Sequence, residues 1–266
     1  STGKIIKGYW HEIYLNFAIL PTFSFKMKHI PNFITCLNLA AGFISLVFAV
    51  NGDVVTASWL IIAAMIFDWF DGFSARLLKA YSDIGKELDS LADAVSFGIA
   101  PALIMYHFLG SSLSLTWPMI TNASGAGDKL ILFSPVIMCV CAVLRLAVFN
   151  TDESQVKSFK GLPTPANALA VISLVIAAHY SDRIVFKNIL ESTPVLLMLT
   201  VALSLLMVSR IPLISLKIAN LKLKGNEGRY LLIILVAAAF VFLGIGAITL
   251  IIPFYLIVSI ISPLFR

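Results

Sequence analysis

Residues 68–93 read DWFDGFSARLLKAYSDIGKELDSLAD and carry four aspartates, Asp68, Asp71, Asp89 and Asp93, beside long apolar runs. An ionised carboxylate in a water-poor setting is costly unless it is paired or holds a cation. The first two are spaced i,i+3 and the last two i,i+4, so each pair shares one face if both stretches are helical. Two such faces turned towards each other form an oxygen-lined cage that suits a hard divalent metal.

The rest of the chain has the composition of a membrane protein. Of its 266 residues, 59% are hydrophobic and 12% are charged, whereas a soluble domain has roughly 25% charged residues. A membrane span takes about 20 apolar residues, and such stretches are predicted near 33–50, 54–76, 90–109, 130–149, 166–180, 194–213, 230–245 and 247–263. The last two are predicted to separate at Gly244 or Gly246. The expected fold class is therefore an all-α, polytopic transmembrane bundle with eight spans, six or seven being the alternatives.

The first 26 residues are predicted to form a segment of their own, ahead of a membrane-embedded domain at 27–266. Two lysines, Lys4 and Lys7, are followed by aromatic and aliphatic residues up to Phe17. This pattern is typical of a short amphipathic helix lying in the membrane interface. Pro21 is expected to end that helix.

Positive charge is unevenly distributed between the predicted loops. If the N-terminus is cytoplasmic, 16 lysines and arginines fall on the cytoplasmic side, and only Lys129, Arg183 and Lys187 fall outside. This agrees with the positive-inside rule. The net charge of +5 is thus a signal of membrane topology and gives no reason to expect nucleic-acid binding. The same allocation places the aspartates at the cytoplasmic interface.

The aspartates belong to a longer pattern, D-x2-D-G-x2-A-R-x8-G-x3-D-x3-D, which 68–93 matches without a gap. In this the chain resembles the CDP-alcohol phosphatidyltransferase family. The resemblance implies two ions of Mg²⁺ or Mn²⁺, one held by Asp68, Asp71 and Asp89 and the other by Asp68, Asp89 and Asp93. It also implies that Asp93, the last residue of the motif, is the general base.

The same resemblance implies a set of contacts to the CDP moiety of the donor, namely Gly72, Ala75, Arg76, Ser82, Gly85, Asn32 and Thr35. A helix-start cap is the alternative role for Asn32 and Thr35. Four flanking stretches resemble the serine-using members of the family: IPNFITCLNLAAGF (30–43), DSLADAVSFGIAPAL (89–103), LRLAVFN (144–150) and FKGLPTPANA (159–168). They imply transfer of a phosphatidyl group from CDP-diacylglycerol to the hydroxyl of L-serine, giving phosphatidylserine and CMP. The family resemblance further implies a homodimer. A lipid donor together with CDP and serine from the cytosol predicts an active site that faces the cytoplasm from the inner membrane of a prokaryote, in agreement with the charge distribution.

Three cations are candidates for binding the acceptor or a phosphate. Arg145 lies in an apolar run, Lys160 precedes a Gly-Leu-Pro loop, and Lys86 lies between the two acidic pairs. Arginine and lysine both recognise carboxylates and phosphates. Arg145 and Lys160 can equally be snorkelling anchors at the membrane interface.

Several alternatives stay open at this point. The acceptor can be glycerol phosphate or inositol phosphate, and an archaeal source would use an ether-linked, archaetidyl donor. The acids can instead form a salt-bridge network with Arg76, Lys79 and Lys86. An ion transporter would place its acids near the bilayer midplane, and a membrane prenyltransferase would need a second aspartate-rich motif, which the acids after Asp93 do not form.

Overall fold

The computed structural model describes residues 29–151, 159–214 and 226–262. Its helices in chain order are α1 (Ile30–Val50), α2 (Val54–Leu77), α3 (Asp83–Asp93), α4 (Ala100–Ser112), α5 (Met119–Asn122), α6 (Ala126–Phe133), α7 (Val136–Thr151), α8 (Thr164–Tyr180), α9 (Ile184–Glu191), α10 (Thr193–Val208), α11 (Glu227–Leu243) and α12 (Ile251–Ile261). A π-helical turn (Ala94–Ile99) joins α3 to α4, and a 3₁₀ segment (Gly244–Leu250) joins α11 to α12. The predicted all-α polytopic fold is confirmed. The interfacial helix predicted within residues 1–26 lies outside the described residues.

Five helical stretches of the described chain are long and apolar enough to cross a membrane, namely Ile30–Val50, Val54–Leu77, Asp83–Ser112, Ala126–Thr151 and Glu227–Ile261. A sixth arises if α9 and α10, which meet at 83°, form one broken span. Helix α8 is apolar but shorter. The structure thus supports an integral membrane protein, and the total of eight spans stays a prediction.

The C-terminal apolar stretch folds back on itself. By length alone, Glu227–Ile261 is one segment of 35 residues. However, a Cβ built on Gly228 would lie 3.5 Å from Val258 Cγ1 and 3.4 Å from Ser262 Cβ. The start of α11 therefore lies beside the end of α12, and the two helices run antiparallel. Gly244 begins the turn with a φ of +57°, a left-handed conformation that favours glycine, so the predicted break at Gly244 is confirmed.

Helix α1 is central to the packing around the aspartates. It packs against α2 along its length and also contacts α3, the π-helical turn and α4. Its buried face carries small and polar residues, including Ala41, Gly42 and Ser45, which allow helices to approach closely in a membrane. The Ser45 hydroxyl, for example, donates a hydrogen bond to the carbonyl of Ala57 at 2.9 Å.

Local sequence signals set the ends of the helices that hold the aspartates. Pro31 lies in the first turn of α1, where its missing N–H costs nothing. The Asp53 carboxylate caps α2 by accepting from the Thr56 N–H at 3.0 Å. The Ser82 hydroxyl caps α3 by accepting from the Gly85 N–H at 3.0 Å. Both caps use side chains that typically satisfy free N–H groups at helix starts.

The third predicted span begins earlier than expected. It was predicted at 90–109, but helix starts at Asp83, so Asp89 and Asp93 lie within α3 and not at the beginning of a span. The reason is the strong cap at Ser82 and the amphipathic character of 83–93, which favours a helix although the segment is too polar for a hydropathy pattern to include it.

A short two-stranded β-sheet connects the loop between α7 and α8 to the loop after α10. Strand β1 (Phe159–Lys160) pairs antiparallel with β2 (Pro212–Leu213). Gly161 follows with a φ of +78°, and a Cβ there would lie 2.6 Å from the carbonyl oxygens of Met207 and Ser209. Only glycine fits this close approach.

Candidate active site

The two acidic pairs meet between the end of α2 and helix α3. Asp68, Asp71 and Asp89 each offer an oxygen, and these oxygens all lie within 4.8 Å of one another. Asp93 lies one helical turn after Asp89, and its carboxylate interacts electrostatically with those of Asp68 and Asp89. Asp71 and Asp93 are only 6% and 8% exposed. The cage inferred from the spacing is therefore present as a compact cluster, in which Asp71 and Asp93 are buried and Asp68 and Asp89 are half-buried.

Helix α1 supplies two hydrogen bonds to the cluster. The Thr35 hydroxyl donates to Asp71 Oδ2 at 2.7 Å, and Asn38 Nδ2 donates to Asp93 Oδ1 at 3.2 Å. Thr35, predicted to contact the nucleotide, also lines the adjacent cavity, and that contact stays a prediction. Asn38 was not among the predicted site residues.

No cation of the described residues forms an ion pair with these four carboxylates. The Oδ1 of Asp89 is also buried without a hydrogen-bond partner. Buried carboxylates of this kind are costly unless a cation compensates them. The geometry disfavours the alternative of a salt-bridge network with Arg76, Lys79 and Lys86. The donor set, oxygen only and closely spaced, fits a hard divalent ion such as Mg²⁺ or Mn²⁺.

A cavity of about 420 Å³ opens beside the cluster. Its walls include two of the four clustered aspartates together with residues of neighbouring helices. The lining residues are Pro31, Asn32, Thr35, Asp71, Gly72, Ala75, Arg76, Ala80, Tyr81, Ser82, Gly85, Lys86, Asp89 and Phe149. All seven residues expected to contact CDP line it. Its volume falls in the range of small-molecule sites, roughly 300–1,000 Å³.

Two glycines shape this cavity in different ways. A Cβ on Gly85 would lie 2.9 Å from both Asn32 Oδ1 and Ser82 Oγ, so a larger residue here would displace the ends of these two side chains. A Cβ on Gly72 would meet nothing within 4 Å, so Gly72 leaves open space in the cavity wall. Ser82 has a structural role as the cap of α3 as well as a place in the wall.

The three predicted acceptor-binding cations are placed differently. Lys86 lines the cavity, and its Nζ donates to the carbonyl of Asn150 at 2.9 Å. Arg145 is buried in α7, with its guanidinium carbon 5.5 Å from the centre of the Phe149 ring. Its Nε has no hydrogen-bond partner among the described residues. Lys160 lies in β1. The structure thus brings Lys86 to the cavity, and neither Arg145 nor Lys160 is among the described residues of its wall.

Besides Pro31 and Ala80 of the cavity wall, three residues of the site were not predicted from the sequence. Tyr81 and Phe149 add aromatic surface to the cavity, and Asn38 contacts Asp93. Asn38 follows Thr35 by three residues in α1, so the two share a helix face. That periodicity is the one signal by which Asn38 could have been found.

Comparison with known proteins identifies the class. Residues 28–206 match the family model described as CDP-alcohol phosphatidyltransferase. Three similar proteins each carry the name CDP-diacylglycerol–serine O-phosphatidyltransferase. The one from Helicobacter pylori (strain ATCC 700392 / 26695) is 31% identical over 239 residues, which is 88% of this chain and 91% of the relative. The one from Bacillus subtilis (strain 168) is 32% identical over 186 residues, or 70% and 89%.

The third, from Mycobacterium leprae (strain TN), is 38% identical over 157 residues, which is 56% of this chain and 47% of the relative. The chain therefore matches only about half the length of this mycobacterial protein. The family match at residues 28–206 covers the aspartate cluster and the helices from α1 to α9. The chain belongs to the CDP-alcohol phosphatidyltransferase family.

Proposed function

We propose that the protein transfers the phosphatidyl group of CDP-diacylglycerol to the hydroxyl of L-serine, giving phosphatidylserine and CMP. One observation carries this proposal: a cluster of buried and half-buried aspartates, without ion-pair partners among the described residues, lies beside a cavity lined by the family's motif residues. The names of the three relatives support serine as the acceptor.

The lining of the cavity supports its proposed role as the binding site of the nucleotide. Gly72 and Ala75 leave room along α2, and Arg76 adds a forked cation suited to a phosphate. Lys86 brings a second positive charge to the same wall. Tyr81 and Phe149 offer ring faces on which a pyrimidine can stack. The acyl chains of the donor then remain in lipid, alongside the apolar outer surfaces of α1 and α2.

The aspartates have two roles in this proposal, metal binding and proton transfer, and Asp93 takes part in both. Asp68, Asp71 and Asp89, and for a second ion Asp68, Asp89 and Asp93, would hold Mg²⁺ or Mn²⁺, which supplies positive charge against the diphosphate and the departing CMP. Asp93 accepts the proton of the serine hydroxyl as its oxygen bonds to phosphorus. The bond from phosphorus to the CMP oxygen breaks in the same displacement, so CMP leaves with the electron pair.

An acceptor screen tests the substrate assignment. Purified protein with CDP-diacylglycerol and Mg²⁺ or Mn²⁺ is offered radiolabelled serine, glycerol phosphate, inositol or inositol phosphate. We expect label in lipid from serine alone. Labelled lipid from another acceptor, with none from serine, would refute the serine assignment while keeping the reaction class. Running the screen with an archaetidyl donor tests the choice of lipid.

The site is proposed to face the cytoplasm from the inner membrane of a prokaryote, with residues 27–266 as one membrane domain. Ile84, at the start of α3, is 76% exposed. In a variant whose three native cysteines are replaced, Ile84→Cys should react with a membrane-impermeant thiol reagent in inside-out vesicles. Reaction in right-side-out vesicles alone would contradict this orientation.

The proposed homodimer is tested by light scattering on the purified protein. A measured protein mass equal to that of one chain would argue against a homodimer.

Gly72→Ala is expected to weaken donor binding without harming the fold. Its Cβ would meet no atom within 4 Å of the protein but would occupy the wall of the cavity. We expect KM for CDP-diacylglycerol to rise about 10- to 100-fold, since small misplacements at a site have effects of that order, with little change in melting temperature. Gly127→Ala in α6, which also meets nothing within 4 Å, is the matched control. An unchanged KM in Gly72→Ala would place the nucleotide elsewhere.

A further inference from the structure

Asn38 connects the catalytic aspartate to the turn that follows it. Its Nδ2 donates to Asp93 Oδ1 at 3.2 Å, and its own backbone carbonyl accepts from the Ser96 hydroxyl at 3.1 Å. Asn38 and Ser96 are fully buried, and Asp93 is 8% exposed. One residue of α1 therefore contacts both Asp93 and the segment three residues after it.

That segment is the π-helical turn Ala94–Ile99. Its wider winding interrupts the regular helical register directly after Asp93, and such single π turns are frequent at functional sites. Gly42, one turn after Asn38 in α1, makes the approach possible, since a Cβ there would lie 2.2 Å from Ser96 Oγ and 2.9 Å from Ser96 Cα. The contact between α1 and the turn is thus close and specific, and it fixes the end of α3 where Asp93 lies.

The Asn38 side chain is only partly satisfied in hydrogen bonding. Its Oδ1 is buried and accepts no hydrogen bond among the described residues. A buried amide that leaves one atom unsatisfied is a poor way to stabilise a helix contact, because an apolar side chain of similar size carries no such penalty. The presence of an amide at this position is better explained by the hydrogen bond that its Nδ2 donates to Asp93.

We propose that Asn38 is a positioning residue for Asp93. By donating to Oδ1, it fixes the rotamer of the carboxylate and leaves Oδ2 to face the acceptor hydroxyl. Productive proton transfer requires the base within hydrogen-bond reach of the hydroxyl, and a carboxylate free to rotate spends less time in that geometry. This inference rests on the proposed function in that Asp93 is the base, but it holds for any acceptor alcohol.

The test uses Asn38→Leu, which keeps the approximate size of the side chain and removes the donor. We expect kcat to fall about 10- to 100-fold, with KM for CDP-diacylglycerol and Mn²⁺ affinity within about twofold. The melting temperature should shift by no more than about 4 °C, because the lost hydrogen bond and the removed unpartnered oxygen oppose each other. Asn38→Ala, which cannot overpack, serves if the leucine variant does not fold.

Ser45→Ala is the matched control, since Ser45 lies two turns further on the same buried face and also donates one hydrogen bond. It should retain the wild-type kcat. A purely structural role for Asn38 predicts that melting temperature and KM change together with kcat, and that result would overturn the proposal. So would an unchanged kcat in both Asn38 variants.

A double-variant cycle decides whether Asn38 acts through Asp93. If it does, the variant carrying both Asn38→Leu and Asp93→Asn is no slower than Asp93→Asn alone, because groups that act as a unit are not additive. Multiplied losses would overturn the inference. If the wild type uses an alcohol other than serine, the serine assignment fails, and the same ratios measured with that alcohol still test Asn38.

Discussion

Replacing Asp93 with asparagine is expected to lower kcat by about 10²- to 10⁴-fold, the usual contribution of a general base, while CDP-diacylglycerol still binds. The substitution keeps the shape of the side chain and removes its ability to take a proton. Asp93 is 8% exposed and lies beside the cluster, but it is not among the described residues of the cavity wall. The donor should therefore bind with nearly its normal affinity.

Single-turnover kinetics with labelled serine, together with donor binding by ultrafiltration, measure the two effects separately. Glu87→Gln is the matched control, because Glu87 lies on the same helix, is exposed, and makes the same change of charge. It should behave as wild type. Normal turnover by Asp93→Asn would remove Asp93 as the base and leave the cluster as a binding site only.

Asp71→Asn is expected to abolish both metal binding and turnover. Asp71 is buried, shares the cluster with Asp68 and Asp89, and already receives the Thr35 hydroxyl on Oδ2. An amide oxygen is a weaker ligand for a hard cation than a carboxylate, and loss of the ion removes several kcal/mol of stabilisation from the reacting phosphate. We expect kcat to fall by about 10³-fold or more, as it should when wild-type protein is treated with EDTA.

Mn²⁺ binding followed by electron paramagnetic resonance gives a readout that does not depend on turnover. Asp53→Asn is the matched control, because Asp53 caps the opposite end of the same helix and asparagine is an equally good cap. Its Mn²⁺ binding should equal that of wild type. If Asp71→Asn bound Mn²⁺ as tightly as wild type does, the cluster would not be the metal site.

The cluster was predictable because helical spacing is a local property. The i,i+3 and i,i+4 pairs each define one face, and an apolar environment requires the two faces to meet or to be neutralised. The start of α1 was found through the resemblance of residues 30–43, and Asn32 and Thr35 do line the cavity with α2 and α3. The packing of α1, α2 and α3 around the cavity, three helices adjacent in the chain, was therefore predictable from the sequence.

What the sequence did not yield depends on contacts between distant segments or on irregular backbone. The Asn38–Asp93 hydrogen bond joins residues 55 positions apart in the chain. The π-helical turn that follows Asp93 is irregular, and a period of 3.6 residues does not predict it. Phe149 reaches the cavity from α7, with Lys86 donating to the neighbouring Asn150 carbonyl. The guanidinium of Arg145 packs over the Phe149 ring, a pairing that the sequence did not predict, and its role towards the acceptor stays a prediction.

The most direct test of the central claim is to follow serine and CMP together. Purified wild-type protein, CDP-diacylglycerol, Mn²⁺ and isotope-labelled L-serine should yield labelled phosphatidylserine and CMP in equal amounts, and none of either after EDTA treatment. CMP release without label in lipid, or transfer that persists without a divalent ion, would contradict the proposal that the aspartate cluster drives phosphatidyl transfer to serine.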